Sequence, residues 1–221
     1  MIAEHVLRGE YGTLDVRGKV VVDVGAHIGA FSILAAAQGA SRVLAFEPEA
    51  ENFRLLSFNA ARHPAIEVHR AAVWRSDRDE PVLAWRASSN ARNTGGGTVI
   101  AGRAIAGVPV DERAHDVDAL PLDAIIDGAG IVGLLKIDAE GSEYPILATS
   151  RRLDRVEAIV GEWHDVDGLD ASMDLPGLAA WTGDALMDLL EARGYTIETM
   201  ADGAVGRFRA TRRRPGTMRH A

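Results

Sequence analysis

The sequence predicts an α/β fold: an open, mostly parallel sheet with helices on both faces. Three observations predict it. β-branched, apolar runs alternate with helix-period stretches along most of the chain. The run Val20-Val21-Val22-Asp23-Val24 breaks into Gly25-Ala26-His27-Ile28-Gly29 and then a helical stretch, which is a strand, a tight turn and a helix start. The last two strand-like runs flank Ala201-Asp202-Gly203-Ala204, an Asp-Gly turn signal that reverses the final strand.

The first strand is expected at Val20–Val24, followed by a helix over Ala30–Gln38. A second strand–helix pair follows at Arg42–Phe46 and Ala50–Arg62, then a third strand at Glu67–Arg70. The middle departs from this rhythm. Ser88–Gly97 is polar and glycine-rich, and its flanks Pro81–Arg86 and Thr98–Ala101 look strand-like, so a small inserted β-hairpin is expected. Its loop is a candidate lid, with Trp85 and Asn93 as its candidate contacts to a bound ligand. The rhythm resumes with a helix at Leu122–Asp127, a strand at Val132–Ile137 and a helix at Glu143–Arg151. A strand at Ala158–Glu162 and a helix at Gly183–Arg193 follow, then strands at Thr196–Thr199 and Gly206–Thr211. Seven strands with the last antiparallel make the Rossmann-like architecture of class I methyltransferases. Residues 1–211 are expected to be one domain, and 212–221, opening on Arg212-Arg213-Arg214, a basic, solvated tail.

Bulk properties narrow the function. A chain of 221 residues carrying a net charge of −8 is not a general nucleic-acid binder. No apolar run is long enough for a bilayer, so no membrane partner is expected. Met1-Ile2-Ala3-Glu4-His5 does not read as a secretion signal, and with no cysteine there is neither a disulfide framework nor a thiolate metal site. A cytoplasmic protein is expected, and an exposed sheet edge permits a homodimer.

Asp23 ends the first strand, and Gly25 and Gly29 shape the turn after it. Ligands of open α/β sheets sit beyond the carboxyl ends of the strands. Glu47 closes the second strand, before Pro48, where a carboxylate accepts both hydroxyls of a ribose. The spacing is Asp-x-Gly-x-x-x-Gly rather than the Gly-x-Gly-x-x-Gly of dinucleotide enzymes. Ala26 and His27 stand where a pyrophosphate needs bare backbone. Asp23 repels phosphate and suits a cation, which favours S-adenosyl-L-methionine over NAD. Ala72 and Val73, after the third strand, leave room for a flat adenine, while Trp74 either stacks on it or fills core.

These residues resemble the FkbM-type family of S-adenosylmethionine-dependent methyltransferases. The likeness runs from about Gly9 to about Thr199. It rests on Gly9-Glu10-Tyr11, Val21 to Gly29, Ala45-Phe46-Glu47-Pro48, Asn52 to Leu56, Leu135 to Tyr144 and Val160-Gly161-Glu162-Trp163-His164. The segment Lys136-Ile137-Asp138-Ala139-Glu140-Gly141-Ser142-Glu143 is the most specific to it. The resemblance implies methylation of hydroxyls on polyketides, sugars and other secondary metabolites. It also places Tyr11 near the cofactor, and His27 where many relatives carry Asn.

Strand alternation sends Lys136 and Asp138 to one side at the sheet's edge, and does the same for Glu162 and His164. The expected chemistry makes His164 the general base, oriented by Glu162 or Asp138, with Lys136 positioning a substrate oxygen or holding Asp138. Asp138 is expected to touch the cofactor as well. Glu143 reads as a helix N-terminal cap, and Glu140 is left between the two roles. Mg²⁺ held by Asp138, Glu140, Glu162 and His164 is a weaker reading, because no compact metal spacing supports it. The expected function is O-methylation of a small-molecule acceptor. The alternatives are N- or C-methylation, a nicotinamide oxidoreductase without its glycine triplet, and a non-catalytic adenosine-ligand binder.

Overall fold

The computed structural model describes residues 14–88, 95–100, 110–166, 175–202 and 204–213. In chain order these form β1 (Val20–Val24), α1 (Ala30–Ala37), β2 (Arg42–Phe46), α2 (Ala50–Ala60), β3 (Ile66–His69), β4 (Ala72–Trp74), β5 (Val82–Ser88) and β6 (Val110–Pro121). The chain continues through α3 (Leu122–Ala129), β7 (Leu134–Ile137), α4 (Glu143–Thr149), β8 (Ala158–His164), α5 (Gly183–Ala192), β9 (Tyr195–Asp202) and β10 (Val205–Arg212). Seven strands make one sheet in the order β3-β2-β1-β7-β8-β10-β9. β10 runs antiparallel to both of its neighbours, and the other pairs are parallel. The expected mostly parallel sheet with a reversed last strand is therefore present.

The strand sequences explain the layering. Alternate residues point to opposite faces. Val22, Val24, Leu44, Phe46, Leu135 and Ile137 pack with Ile125, Ile126, Ile146 and Leu190 from α3, α4 and α5. Val21, Val43, Leu134 and Val160 pack on the other face with Phe31 and Ala35 of α1. A fully buried aliphatic side chain contributes about 1.5–3 kcal/mol. An exposed pair such as Arg42–Glu67, 2.7 Å apart, contributes about 0–1 kcal/mol. The two apolar layers, not the surface ion pairs, hold the sheet together.

The middle of the chain differs from expectation. The insertion is a second sheet of three strands, β4-β6-β5, in which β5 pairs antiparallel with β6 rather than with Thr98–Ala101. Thr98 makes a single bridge to Arg86, and Ala101 lies outside the described residues. β6 was hidden because its sequence is charge-rich and one-sided: Val117 and Ala119 are buried while Asp116 and Asp118 are exposed. Tyr11, Asn93 and most of the loop Ser88–Gly97 lie outside the described residues. Trp74 belongs to the core, its indole N–H donating to Glu80 Oε2 at 2.7 Å.

Arg212 also corrects the expected tail. It is the last residue of β10, half-buried, with its guanidinium 4.8 Å over the Tyr195 ring and its Nε donating to the Val156 carbonyl at 3.1 Å. Arg213 N donates to Gly194 O at 2.9 Å. A run of three arginines gives no sign that its first residue ends a strand, because cation–ring stacking depends on a neighbour from elsewhere in the chain.

Candidate active site

β1 pairs with β2 on one side and β7 on the other, so the connections leaving β1 and β7 part company at the carboxyl edge. A cleft opens there. Gly25, His27, Glu47, Pro48, Ala72, Val73 and Asp138 line it, as expected, and so does Trp85 from the insertion. Asn52, Ser142 and Glu140 line it too; sequence reasoning gave Asn52 and Ser142 no site role and left Glu140 between a capping and a functional one. The available signal was their place within the motif segments themselves.

The cofactor turn is shaped by close approach. Gly25 has φ +71, and a Cβ there would lie 1.9 Å from the Asp138 carbonyl oxygen. Gly25 N and Ala26 N both donate to Phe46 O, at 3.1 and 2.9 Å, which fastens the turn to the end of β2. His27 adopts φ 52, and its N–H donates to Glu47 Oε2 at 2.9 Å. Ala26 and Gly29 lie behind the cleft rather than on it. Ala26 is buried against Ala45 and Leu56, and Gly29 caps α1 and packs on Leu56.

Glu47 is buried, with Oε1 accepting from Glu49 N at 2.9 Å beside the His27 bond. Burial pushes its carboxyl up to about 7, against the opposing pull of the Glu49 and His27 amides, Lys136 and the Asn52 side chain. Each oxygen carries one backbone donor, and the Asn52 side chain bonds the carboxylate as well.

Asp23 does not face the cleft, contrary to expectation. It is fully buried, with Ser32 Oγ donating to Oδ2 at 2.6 Å and Lys136 Nζ 3.3 Å from Oδ1. Lys136 is likewise buried, and donates to Val24 O at 3.1 Å and Gly25 O at 2.7 Å. Burial would strip its proton, but Asp23 and then Asp138 more than offset this and hold the ammonium above its usual pKa. Asp23 is spent on Lys136, and Lys136 braces the turn instead of touching substrate. The expected pairing with Asp138 is present at 3.9 Å, as strand alternation required.

His164 is buried at the end of β8 among carboxylates. Its Nδ1 lies 3.2 Å from Glu143 Oε1, and its Nε2 lies 3.7 Å from Glu140 Oε2 and 3.9 Å from Glu162 Oε2. The residue that orients it is therefore Glu143, not Glu162 or Asp138. Glu143 does not cap α4: its two oxygens accept from Ala139 N at 2.7 Å and Gly141 N at 2.9 Å, in the loop before the helix. Burial depresses the imidazole, but Glu143, by charge and hydrogen bond, then Glu140 and Asp138, carry it up to about 10. A ring that keeps its proton at neutral pH cannot act as the general base, which corrects that assignment. Asp138, Glu143 and His164 bring donor atoms within 4.8 Å of one another. Glu143 is engaged there by the Ala139 and Gly141 amides.

The loop carrying Asp138 and Glu140 is tied to the insertion. Thr98 Oγ1 donates to Glu140 O at 2.8 Å, and Gly97 packs so tightly on Trp85 that a Cβ would lie 1.9 Å from its ring.

The Methyltransferase FkbM domain matches residues 23–197 of this chain. The 31-O-demethyl-FK506 methyltransferase FkbM of Streptomyces tacrolimicus is 34% identical over 177 residues, covering 68% of this chain and 67% of that protein. The AMB antimetabolite synthetase AmbE of Pseudomonas aeruginosa is 29% identical over 237 residues, covering 89% of this chain. This chain spans only 10% of AmbE's length. The crystal structure of methyltransferase FkbM from Methylobacillus flagellatus KT superposes with a TM-score of 0.53 at 18% identity, over 87% of this chain and 43% of that one, and shares the fold. With the family's domain matched from the end of β1 into β9, the chain belongs to the FkbM family of methyltransferases.

Proposed function

We propose that this chain is an S-adenosylmethionine-dependent O-methyltransferase acting on a hydroxyl of a small molecule. The observation that carries the reading is the cleft itself: a buried carboxylate, Glu47, at the end of β2, and two more acids, Asp138 and Glu140, across from it. That donor set fits the cofactor. Glu47 suits a ribose diol, the small residues Ala72 and Val73 suit an adenine face, and Asp138 suits a cationic amino-acid end. When bound, the cofactor supplies a methyl group already activated on a sulfonium. The chain then has to orient the acceptor in line, exclude water and accept one proton. Trp85 gives the acceptor side an apolar wall. FkbM of S. tacrolimicus is named as a 31-O-demethyl-FK506 methyltransferase, which supports oxygen as the acceptor atom.

Calorimetric titration of the protein with S-adenosylmethionine, S-adenosylhomocysteine and NAD tests the cofactor: the first two bind and NAD does not. A screen of hydroxyl, amine and carbon acceptors with labelled methyl donor tests the reaction, and label appears on hydroxyl compounds. Exhaustive chelation leaves that transfer unchanged. Binding of NAD alone, or label only on nitrogen or carbon, overturns the reading.

Glu47 makes a pH prediction. A ribose hydroxyl donates to the ionised carboxylate, so binding competes with a proton on Glu47. With its carboxyl near 7, cofactor affinity falls as pH drops from 8 toward 6, about tenfold per unit once the pH is below that value. Glu47→Gln weakens binding at pH 8 and flattens the dependence, as read by calorimetry across that range.

A further inference from the structure

We propose that Glu140 is the residue that takes the proton from the acceptor hydroxyl, with His164 and Glu143 as the pair that positions it. The inference rests on the O-methyl transfer reading above. Among the four titratable side chains gathered around His164, only Asp138 and Glu140 line the cleft. Asp138 already faces Lys136 at 3.9 Å. Glu143 is buried and engaged by two amides and the imidazole. Glu140 is different: its carboxylate is partly exposed in the cleft, with Oε2 3.7 Å from His164 Nε2.

Its backbone is held from both sides. Thr98 Oγ1 donates to its carbonyl, and Glu143 accepts from the N–H groups of Ala139 and Gly141, its two neighbours. Glu140 itself sits at φ 49, a conformation that a non-glycine residue keeps only where its surroundings impose it. The ring is aimed as well, because Glu143 holds Nδ1 and so turns Nε2 toward Glu140 and Glu162.

The proton balance is simple. The acceptor O–H gives its proton to a Glu140 oxygen while the acceptor's electron pair forms the new O–C bond. The pair of the broken S–C bond stays on sulfur as a thioether. The neighbouring imidazolium keeps its own proton throughout and stabilises Glu140 as the anion before transfer. Burial raises Glu140 to about 8, with Asp138, Glu143 and Glu162 adding to the rise and His164 opposing it. Glu140 is therefore ionised, and able to take the proton, as pH rises through about 8, and transfer speeds up over that range.

The test compares wild type, Glu140→Gln, Glu140→Asp and His164→Gln in the labelled-methyl screen, with cofactor affinity measured by calorimetry. Glu140→Gln slows single-turnover transfer at least about a hundredfold while affinity stays within a few-fold. Glu140→Asp keeps a measurable fraction of the rate, which separates a lost base from a disturbed fold. His164→Gln slows transfer less than Glu140→Gln. Carboxyl ¹³C NMR of glutamate-labelled protein adds a readout independent of turnover. One resonance, absent in Glu140→Gln, titrates near 8 and moves upward in His164→Gln. More than a tenth of the rate in Glu140→Gln, or a Glu140 carboxyl in the ordinary carboxylate range, overturns this inference and leaves the methyl-transfer reading standing. A wild type that binds cofactor and labels no acceptor removes both.

Discussion

Replacing Lys136 with methionine destabilises the fold by about 3–5 kcal/mol, read as a lowered urea midpoint with an unchanged slope. The cause is what the substitution leaves behind. Methionine keeps the apolar stem, so little packing is lost. Asp23, however, is fully buried, and the Lys136 ammonium at 3.3 Å is the charge that compensates its Oδ1. A carboxylate left in that setting must either stay charged without a partner or take up a proton at neutral pH, and both are costly. The companion variant Asp23→Asn/Lys136→Met removes the stranded charge and recovers most of the stability. It does not recover cofactor binding, because the two hydrogen bonds from Lys136 to Val24 O and Gly25 O, which hold the turn, are still missing. A single Lys136→Met variant with wild-type stability contradicts this account.

Gly25→Ala is the second large effect, and it strikes stability and binding together. The residue sits at φ +71, where a non-glycine residue pays about 1–2 kcal/mol. The added methyl also falls 1.9 Å from the Asp138 carbonyl oxygen, which is backbone of the neighbouring strand end and cannot swing away. Forced separation of packed elements costs about 1–3 kcal/mol more. The expected loss is about 2–5 kcal/mol, with cofactor affinity reduced at least about tenfold because the turn and Asp138 are pushed apart at the cleft. Gly18→Ala is the control. Gly18 has φ +72 but nothing within 4 Å of a built Cβ, so it pays the conformational cost alone. If thermal unfolding and calorimetry find the two variants equivalent, close approach at Gly25 is not what the turn requires.

The strand sequences and the Asp-Gly turn were enough to predict the main sheet, because alternation and turn chemistry are local properties. The motif at β1 and the acids at the ends of β2 and β7 marked the cleft for the same reason: strand ends of a parallel sheet gather at one edge whatever the loops do. The insertion resisted prediction. β6 has only Val117 and Ala119 as buried markers on its described face, and charged neighbours mask the period.

What the sequence determined by itself was the inventory: which acids, which lysine and which histidine stand at strand ends, and which way alternation turns them. What only the tertiary structure decided was their pairing. Asp23 looked like a cofactor ligand until β7 brought Lys136 beside it, and His164 looked like a base until the start of α4 set Glu143 against its ring. The physical reason is that burial and neighbouring charge fix protonation, and both come from segments far apart along the chain. Residue type limits what a group can do, and its surroundings choose the charge it carries when it does it.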